Sequence, residues 1–298
     1  MEKLLIQLQR ASVDWEKNVP LSKHSSFRIG GNADLGVFPK TREQLIAALT
    51  LLREAKIPFI VIGRGSNVVF PDEGVRGAVL FTSAYRSVVQ NGNVFEVGAG
   101  ASLAAVANAA REGAFTGAEF AHGIPGTLGG AVFMNAGAFG GCMADICVAS
   151  EYFDCVSGDI HVLEGEAQAF GTRTSVYQHF PERVILGARL VLRVGNADDI
   201  NATMLDFMER RRRTQPLELP SAGSVFKRPE GHFAGKLIED CGLKGTRIGG
   251  AEVSRKHAGF IVNCGGATAE DVRRLVDLIR ETVLRETGVE LECEIRFL

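Results

Sequence analysis

Pro58-Phe59-Ile60-Val61-Ile62 runs straight into Gly63-Arg64-Gly65-Ser66-Asn67, and this passage from an apolar run to a glycine turn decides the reading of the chain. A short continuous apolar run bounded by turn residues is the pattern of a strand covered on both faces. In the turn that follows, backbone N–H groups can converge with no side chain in the way, so it can cradle a diphosphate. The same residues also suit a tight structural turn. The dinucleotide fingerprint GxGxxG does not fit, because Val68 stands where its third glycine belongs, and no Walker A motif occurs in the chain.

Upstream, Thr41 to Lys56 reads as an amphipathic helix: Thr41 and Gln44 have capping-box spacing, and Leu45, Leu49 and Leu52 share a face. Downstream come strands at Ala78 to Phe81 and Val94 to Val97, then a small-residue helix from Ser102 to Arg111. A second glycine-rich stretch follows, Gly123-Ile124-Pro125-Gly126-Thr127-Leu128-Gly129-Gly130-Ala131, continued by Met134-Asn135-Ala136-Gly137-Ala138. So many small residues weaken any helix or strand, and Gly113 to Gly141 is expected to hold little regular structure. A flat ligand lying against bare backbone explains the stretch, with a glycine-rich packing junction as the alternative. Taken with the first turn, it points to a large planar cofactor.

Strand patterns return at Glu151 to Val156 and Ile160 to Leu163, joined by the hairpin turn Ser157-Gly158-Asp159, and Val184 to Val194 reads as a long strand. Composition changes at Gly195 to Asp199, the best boundary in the chain. A helix follows from Ile200 to Arg213, ending in four arginines whose charge favours a helix C-terminus, and then a proline-punctuated linker from Thr214 to Pro220. Thr268 to Glu286 reads as a helix burying Val272, Leu275, Val276, Ile279 and Val283 and stopped by Gly288. The last stretch, Val289 to Phe297, alternates as a strand does, with Glu290, Glu292, Glu294 and Arg296 on one face.

Two stretches here carry candidate chemistry. In Ser221-Ala222-Gly223-Ser224-Val225-Phe226-Lys227-Arg228, a hydroxyl beside a mobile glycine precedes two cations, an arrangement able to donate a proton near an anionic substrate. A serine-rich turn before a strand is the plainer reading. Period-two geometry puts Glu294 and Arg296 on one face, facing either a cleft or solvent.

Composition narrows the classes. The chain has 298 residues, 46% hydrophobic and 23% charged, the balance of a globular protein large enough for several cores. A formal net charge of -2 gives no field to gather nucleic acid or an anionic membrane. No stretch approaches the roughly 20 apolar residues of a membrane span, and Met1-Glu2-Lys3-Leu4-Leu5-Ile6-Gln7 lacks the apolar core of a signal peptide. Six cysteines form no CxxC pair and no zinc spacing, and six histidines are scattered, so no metal site and reduced thiols are expected. The absent targeting signals, with the role implied by the resemblance that follows, lead to an expected cytoplasmic location.

In this order the motifs resemble those of the UDP-N-acetylenolpyruvoylglucosamine reductases (MurB). The match runs from about Pro20 to the C-terminus. Ser26-Phe27-Arg28-Ile29-Gly30-Gly31 resembles the family's opening motif, Gly63 to Asn67 its first FAD loop and Gly123 to Ala138 its second. Pro220 to Lys227, Ala234-Gly235-Lys236-Leu237-Ile238-Glu239 and Lys256-His257-Ala258-Gly259-Phe260-Ile261-Val262-Asn263 complete the pattern. The resemblance implies an α+β fold: a two-part FAD-binding region of the vanillyl-alcohol-oxidase (PCMH) type, residues 1–82 and 83–196, plus a smaller α+β substrate-binding domain, residues 197–288. The strand over 289–298 is expected to return to the first part or to the cleft.

It also implies catalytic roles: Arg173 for the arginine holding the enolpyruvyl carboxylate, Ser224 for the serine that protonates the substrate carbon, and Glu294 for an assisting acid. FAD contacts fall to Gly63, Arg64, Gly65, Ser66 and Asn67, and to Gly123, Ile124, Pro125, Gly126, Thr127, Gly129, Gly130, Asn135 and Gly137. Lys227, Arg228, Lys256 and His257 are the substrate-binding candidates. The implied reaction has NADPH as co-substrate and a UDP-sugar enolpyruvate as acceptor, with hydride added to its methylene carbon and a proton to the neighbouring carbon. With no histidine in the first loop, FAD is expected to be non-covalent, and the protein monomeric. The length matches a short subgroup lacking a substrate-capping tyrosine loop. Thr172, Val176-Tyr177 and Arg255 depart from the family pattern. A flavin oxidase of the same fold and a non-catalytic flavin or nucleotide-sugar binder are the alternatives; neither requires Arg173, Ser224 and Glu294 together.

Overall fold

Strand and helix segments interleave along the chain in the computed structural model, which describes residues 1–298, and they gather into two compact units. The first comprises Met1–Lys17, Asp34–Arg64 and Gly77–Glu209; the second comprises Asn18–Ala33, Gly65–Arg76 and Arg210–Leu298.

The first unit holds two sheets. One has the strand order Asp14–Pro20, Asn32–Phe38, Val75–Phe81, Phe59–Ile62, and the first three of these strands each cross a unit boundary along the chain. The apolar run over 59–62 pairs parallel to Val75–Phe81, Phe59 opposite Ala78 and Ile62 opposite Phe81. Helix Arg42–Glu54 covers this layer with Leu45, Ala48, Leu49 and Leu52, all fully buried, and the hydroxyl of Thr41 caps it by accepting from Gln44 N at 3.2 Å. The Gln44 side chain accepts from Lys40 rather than from Thr41, so the reciprocal half of a capping box is displaced by one residue. An N-terminal helix, Glu2–Arg10, which the sequence reading missed although Leu4, Leu5 and Leu8 fall on one helical face, adds those leucines to the same core.

The other sheet is antiparallel throughout, in the order Ile160–Glu164, Cys147–Asp154, Arg183–Val191, Val94–Gly98, Val88–Asn91. The expected hairpin around Ser157-Gly158-Asp159 is its outer pair. Helix Leu103–Glu112, capped by Ser102, packs on it through Leu103 and Val106.

The expectation of little regular structure over 113–141 is corrected at Leu128–Met134, which forms a helix. Local propensity is overridden by long-range backbone bonds: Leu128 N donates to Ala101 O and Gly129 N to Ala99 O, each at 2.9 Å.

The second unit is built on the sheet Ser221–Ser224, Phe260–Asn263, Ala251–Val253, Arg247–Ile248 and helix Ala269–Thr287. That helix starts at a full capping box, Thr268 with Asp271, and ends at Gly288 with φ 73°, a conformation glycine adopts without strain. Val272, Leu275 and Val283 are fully buried beneath it. The single strand expected over 289–297 is shorter: only Arg296–Phe297 enter a ladder, parallel to Val68–Val69, with an isolated bridge between Phe226 and Cys293. The ladder breaks because Glu294 N and Ile295 N both turn to one acceptor, Val225 O. The alternation still governs burial: Leu291 and Ile295 are buried, and Glu290 and Glu292 exposed. No helix is long and apolar enough to cross a membrane.

Candidate active site

In the first unit the end of the 59–62 strand brings Gly63 against Thr127: a Cβ on Gly63 would lie 2.1 Å from the threonine hydroxyl. Gly129 is similarly close to Ala99, at 3.1 Å. Gly126 and Gly130 differ, with no atom nearer a built Cβ than 3.8 and 3.7 Å, so their bareness is not needed for packing and leaves backbone open to a ligand. Thr127 is 2% exposed, and its hydroxyl has no hydrogen-bond partner in the protein. A buried orphan hydroxyl needs an explanation. Beside bare glycine backbone it fits a cofactor rich in polar oxygens and a flat ring system. Of the first glycine turn, Gly63 and Arg64 belong to this unit and Gly65, Ser66 and Asn67 to the second.

Arg173 lies in the same unit as the glycine-rich stretch. Gly171 and Thr174 exchange both backbone hydrogen bonds, 3.1 and 3.3 Å, closing a tight turn with Thr172 and Arg173 at its tip. Arg173 has φ 55°. Its guanidinium donates to Gly137 O at 2.8 Å and to Asn135 O at 3.5 Å. Asn135, itself left-handed and 7% exposed, donates through Nδ2 to Gly171 O and accepts at Oδ1 from Ala144 N, both at 2.9 Å. Three sequence candidates, Asn135, Gly137 and Arg173, therefore meet here. A half-buried guanidinium presents a planar fork suited to a carboxylate. Sequence reasoning passed over two residues of this network. Gln178 Nε2 donates to Arg173 O at 2.9 Å and Phe133 O at 3.0 Å, and Ser175 Oγ donates to Phe133 O at 2.8 Å.

The second unit gathers Asn67, Ser224 and Glu294. Gly65, with φ 62°, packs so tightly that a Cβ would sit 2.1 Å from His24 O, and its own carbonyl accepts from Ser26 N at 3.1 Å. Ser26 Oγ donates to Ser221 O at 2.6 Å, tying this turn to the strand that ends at Ser224. Gly223, φ 81°, sits in the irregular register between Ser221 and Ser224, and Ser224 emerges exposed. The next residue, Val225, accepts from Glu294 N at 2.7 Å. Glu294 is half-buried, unlike Glu290 and Glu292 on the same alternating face. Its neighbour Cys293 has its thiol pushed up to about 11 by burial, so thiolate chemistry is suppressed beside it.

Of the substrate candidates, Lys227 pairs with Glu292 at 2.5 Å, and Arg228 stacks over Phe233, 4.0 Å from the ring centroid. Both line a cleft of about 410 Å³ with His232 and Glu290. Lys256 and His257 do not line it. Lys256 donates to Arg212 O at 2.6 Å, and His257 accepts from Gly259 N at 3.0 Å with its pKa lowered by burial, so the ring is neutral at pH 7. No three histidine, cysteine, aspartate or glutamate side chains converge as a metal site.

Comparison with known proteins places these features. Residues 215–298 match the model for the C-terminal domain of UDP-N-acetylenolpyruvoylglucosamine reductase, and residues 33–164 match an FAD binding domain. A UDP-N-acetylenolpyruvoylglucosamine reductase of Caldanaerobacter subterraneus subsp. tengcongensis is 46% identical over 281 residues, 94% of this chain and 92% of that protein. One of Geobacillus kaustophilus is 44% identical over 287 residues, 95% and 94% of the two chains. The crystal structure of the Thermus caldophilus enzyme superposes with a TM-score of 0.79 at 35% identity, covering 96% of this chain and 98% of that one. A berberine bridge enzyme variant, a reticuline dehydrogenase, aligns with a TM-score of 0.50 at 14% identity over 75% of this chain and 51% of its own; that likeness concerns the fold alone.

Proposed function

The chain belongs to the UDP-N-acetylenolpyruvoylglucosamine reductase family, and from that premise we propose that it reduces UDP-N-acetylglucosamine enolpyruvate to UDP-N-acetylmuramate with NADPH, a step in peptidoglycan precursor synthesis. The observation carrying this reading is similarity at 46% identity over 94% of the chain, so that the cofactor half and the half with Ser224 and Glu294 are matched together. The fold is α+β, an FAD-binding region of the vanillyl-alcohol-oxidase type joined to a smaller domain.

FAD, when bound, supplies the hydride chemistry between NADPH and the substrate. We assign its binding to Gly63, Arg64, Gly65, Ser66 and Asn67 and to the bare backbone over Gly123–Gly137, without a covalent link. Arg173 holds the enolpyruvyl carboxylate. As hydride reaches the methylene carbon, the electron pair of the double bond moves toward the neighbouring carbon and the carboxylate, and a guanidinium already in place stabilises the growing charge. Ser224 Oγ delivers a proton to that neighbouring carbon. A serine hydroxyl is a weak acid, so this role depends on a site closed to water. Glu294 assists as an acid. Lys227 and Arg228 bind the diphosphate, and Lys256 and His257 complete the substrate contacts. The reading includes a cytoplasmic monomer, with FAD-binding parts over 1–82 and 83–196 and a substrate-binding part over 197–288.

An anaerobic absorbance titration tests the proposal. The yellow protein should bleach with NADPH and regain colour with UDP-N-acetylglucosamine enolpyruvate. Bleaching without recovery would mean a different acceptor, and a protein that takes up no flavin would overturn the reading.

A further inference from the structure

Arg173 stands at φ 55°, a left-handed conformation that is costly for a non-glycine residue and persists only where the surroundings impose it. The tight turn closed by Gly171 and Thr174 requires it at its third position, and a hydrogen-bond network holds that turn in place. The carbonyl of Arg173 accepts from Gln178 Nε2 at 2.9 Å. The same nitrogen also donates to Phe133 O, 3.0 Å away in the last turn of helix Leu128–Met134, with Met134 Sδ a more distant acceptor at 3.6 Å. The guanidinium, meanwhile, reaches the carbonyls of Asn135 and Gly137, the residues just past that helix. Backbone and side chain of Arg173 are thus both referenced to one short stretch, Phe133 to Gly137, and Gln178 makes the backbone half of that reference. Gln178 follows the buried Tyr177, 1% exposed, its N–H donates to Ser175 O at 3.1 Å, and the Ser175 hydroxyl donates to the same Phe133 carbonyl.

We propose that Gln178 is a positioning residue for Arg173, its amide clamping the Arg173 and Phe133 carbonyls so that the guanidinium is presented in a fixed place. The proposal rests on the carboxylate-holding role assigned to Arg173. What the clamp needs is two donors on one nitrogen. A leucine supplies none, whereas a lysine ammonium of similar reach supplies three.

The test uses the full-length protein loaded with FAD, in four forms: wild type, Gln178→Leu, Gln178→Lys and Arg173→Ala. Flavin content, melting temperature and the rates of both half-reactions are measured anaerobically. Gln178→Leu should slow flavin reoxidation by UDP-N-acetylglucosamine enolpyruvate by about 10- to 100-fold, the range produced by small misplacement of a catalytic group. Its flavin content and its reduction by NADPH should match wild type, and Gln178→Lys should restore reoxidation. A purely structural role would instead lower flavin content or slow both half-reactions together, and that result overturns the proposal. So does slow reoxidation in Gln178→Lys, or normal reoxidation in Gln178→Leu while Arg173→Ala is slow. Normal reoxidation in Arg173→Ala would remove the carboxylate role itself, a failure readable separately from that of the clamp.

Discussion

The side-chain amide of Asn67 donates to the backbone carbonyl of Glu294 across 3.2 Å, while the carbonyl of Asn67 accepts from Arg296 N at 3.0 Å. A residue of the glycine turn therefore fixes the strand segment that bears the proposed acid. Asn67→Ala should weaken FAD retention and slow flavin reoxidation together, whereas Glu294→Gln should slow reoxidation alone. Fluorescence titration of the flavin-free protein with FAD, beside stopped-flow measurement of each half-reaction, separates the two effects.

Ser224 is exposed at the end of its strand, reached through the left-handed Gly223. Ser224→Ala should be reduced by NADPH at the wild-type rate yet turn over substrate about 10²- to 10⁴-fold more slowly, the range for loss of general acid catalysis. Unimpaired turnover would remove the serine from proton delivery.

The approach of Gly63 to Thr127 leaves no room for a methyl group, since the built Cβ lies 2.1 Å from the hydroxyl. Gly63→Ala should destabilise the protein by about 1–3 kcal/mol through overpacking. Adding Thr127→Ala should recover much of that loss, because the colliding atom is then gone. Thermal unfolding of the two variants and their combination measures the coupling.

Asp271 accepts from Thr268 N and Gly250 N, both at 3.1 Å, and backbone hydrogen bonding holds its carboxyl below the ordinary range. A carboxyl depressed in the folded state contributes stability above its unfolded pKa of about 3.9 and loses it as pH falls through the folded value. Asp271→Ala should therefore lower stability by about 1 kcal/mol at neutral pH, with Gly250 N left without its partner. The gap between variant and wild type should close as pH drops below about 4, as urea unfolding over a pH series would record.

Much of the fold is legible in local chemistry. Helix 269–287 could be bounded almost to the residue, because Thr268 and Asp271 cap one end and Gly288 the other. The hairpin at Ser157-Gly158-Asp159 follows from its turn residues in the same way. What local reading missed was decided by distant partners. Helix 128–134 exists because Ala99 and Ala101 supply acceptors to its first turn. The last strand shrinks to 296–297 because its partner is Val68–Val69, far back in the chain. At the site, glycines and an arginine stand out by type, but nothing in the letters ties Gln178 to Arg173. That tie is made by a positive φ and two carbonyls, visible only in three dimensions.

The interleaving of the two units carries a consequence for synthesis. The chain changes unit between Lys17 and Asn18, Ala33 and Asp34, Arg64 and Gly65, Arg76 and Gly77, and Glu209 and Arg210. As the ribosome releases it, Asn18–Ala33 and Gly65–Arg76 emerge early but must wait for Arg210–Leu298 before their unit can close, and the partners of Val68 and Val69 arrive only at Arg296 and Phe297. Such long-range closure is slow. A nascent chain stalled before residue 210 displays Val69, buried in the finished protein among residues of that last segment, to whatever chaperone or protease is nearby. No single cut yields either unit as an independently expressible fragment. A chimera with a relative would have to exchange three segments at once.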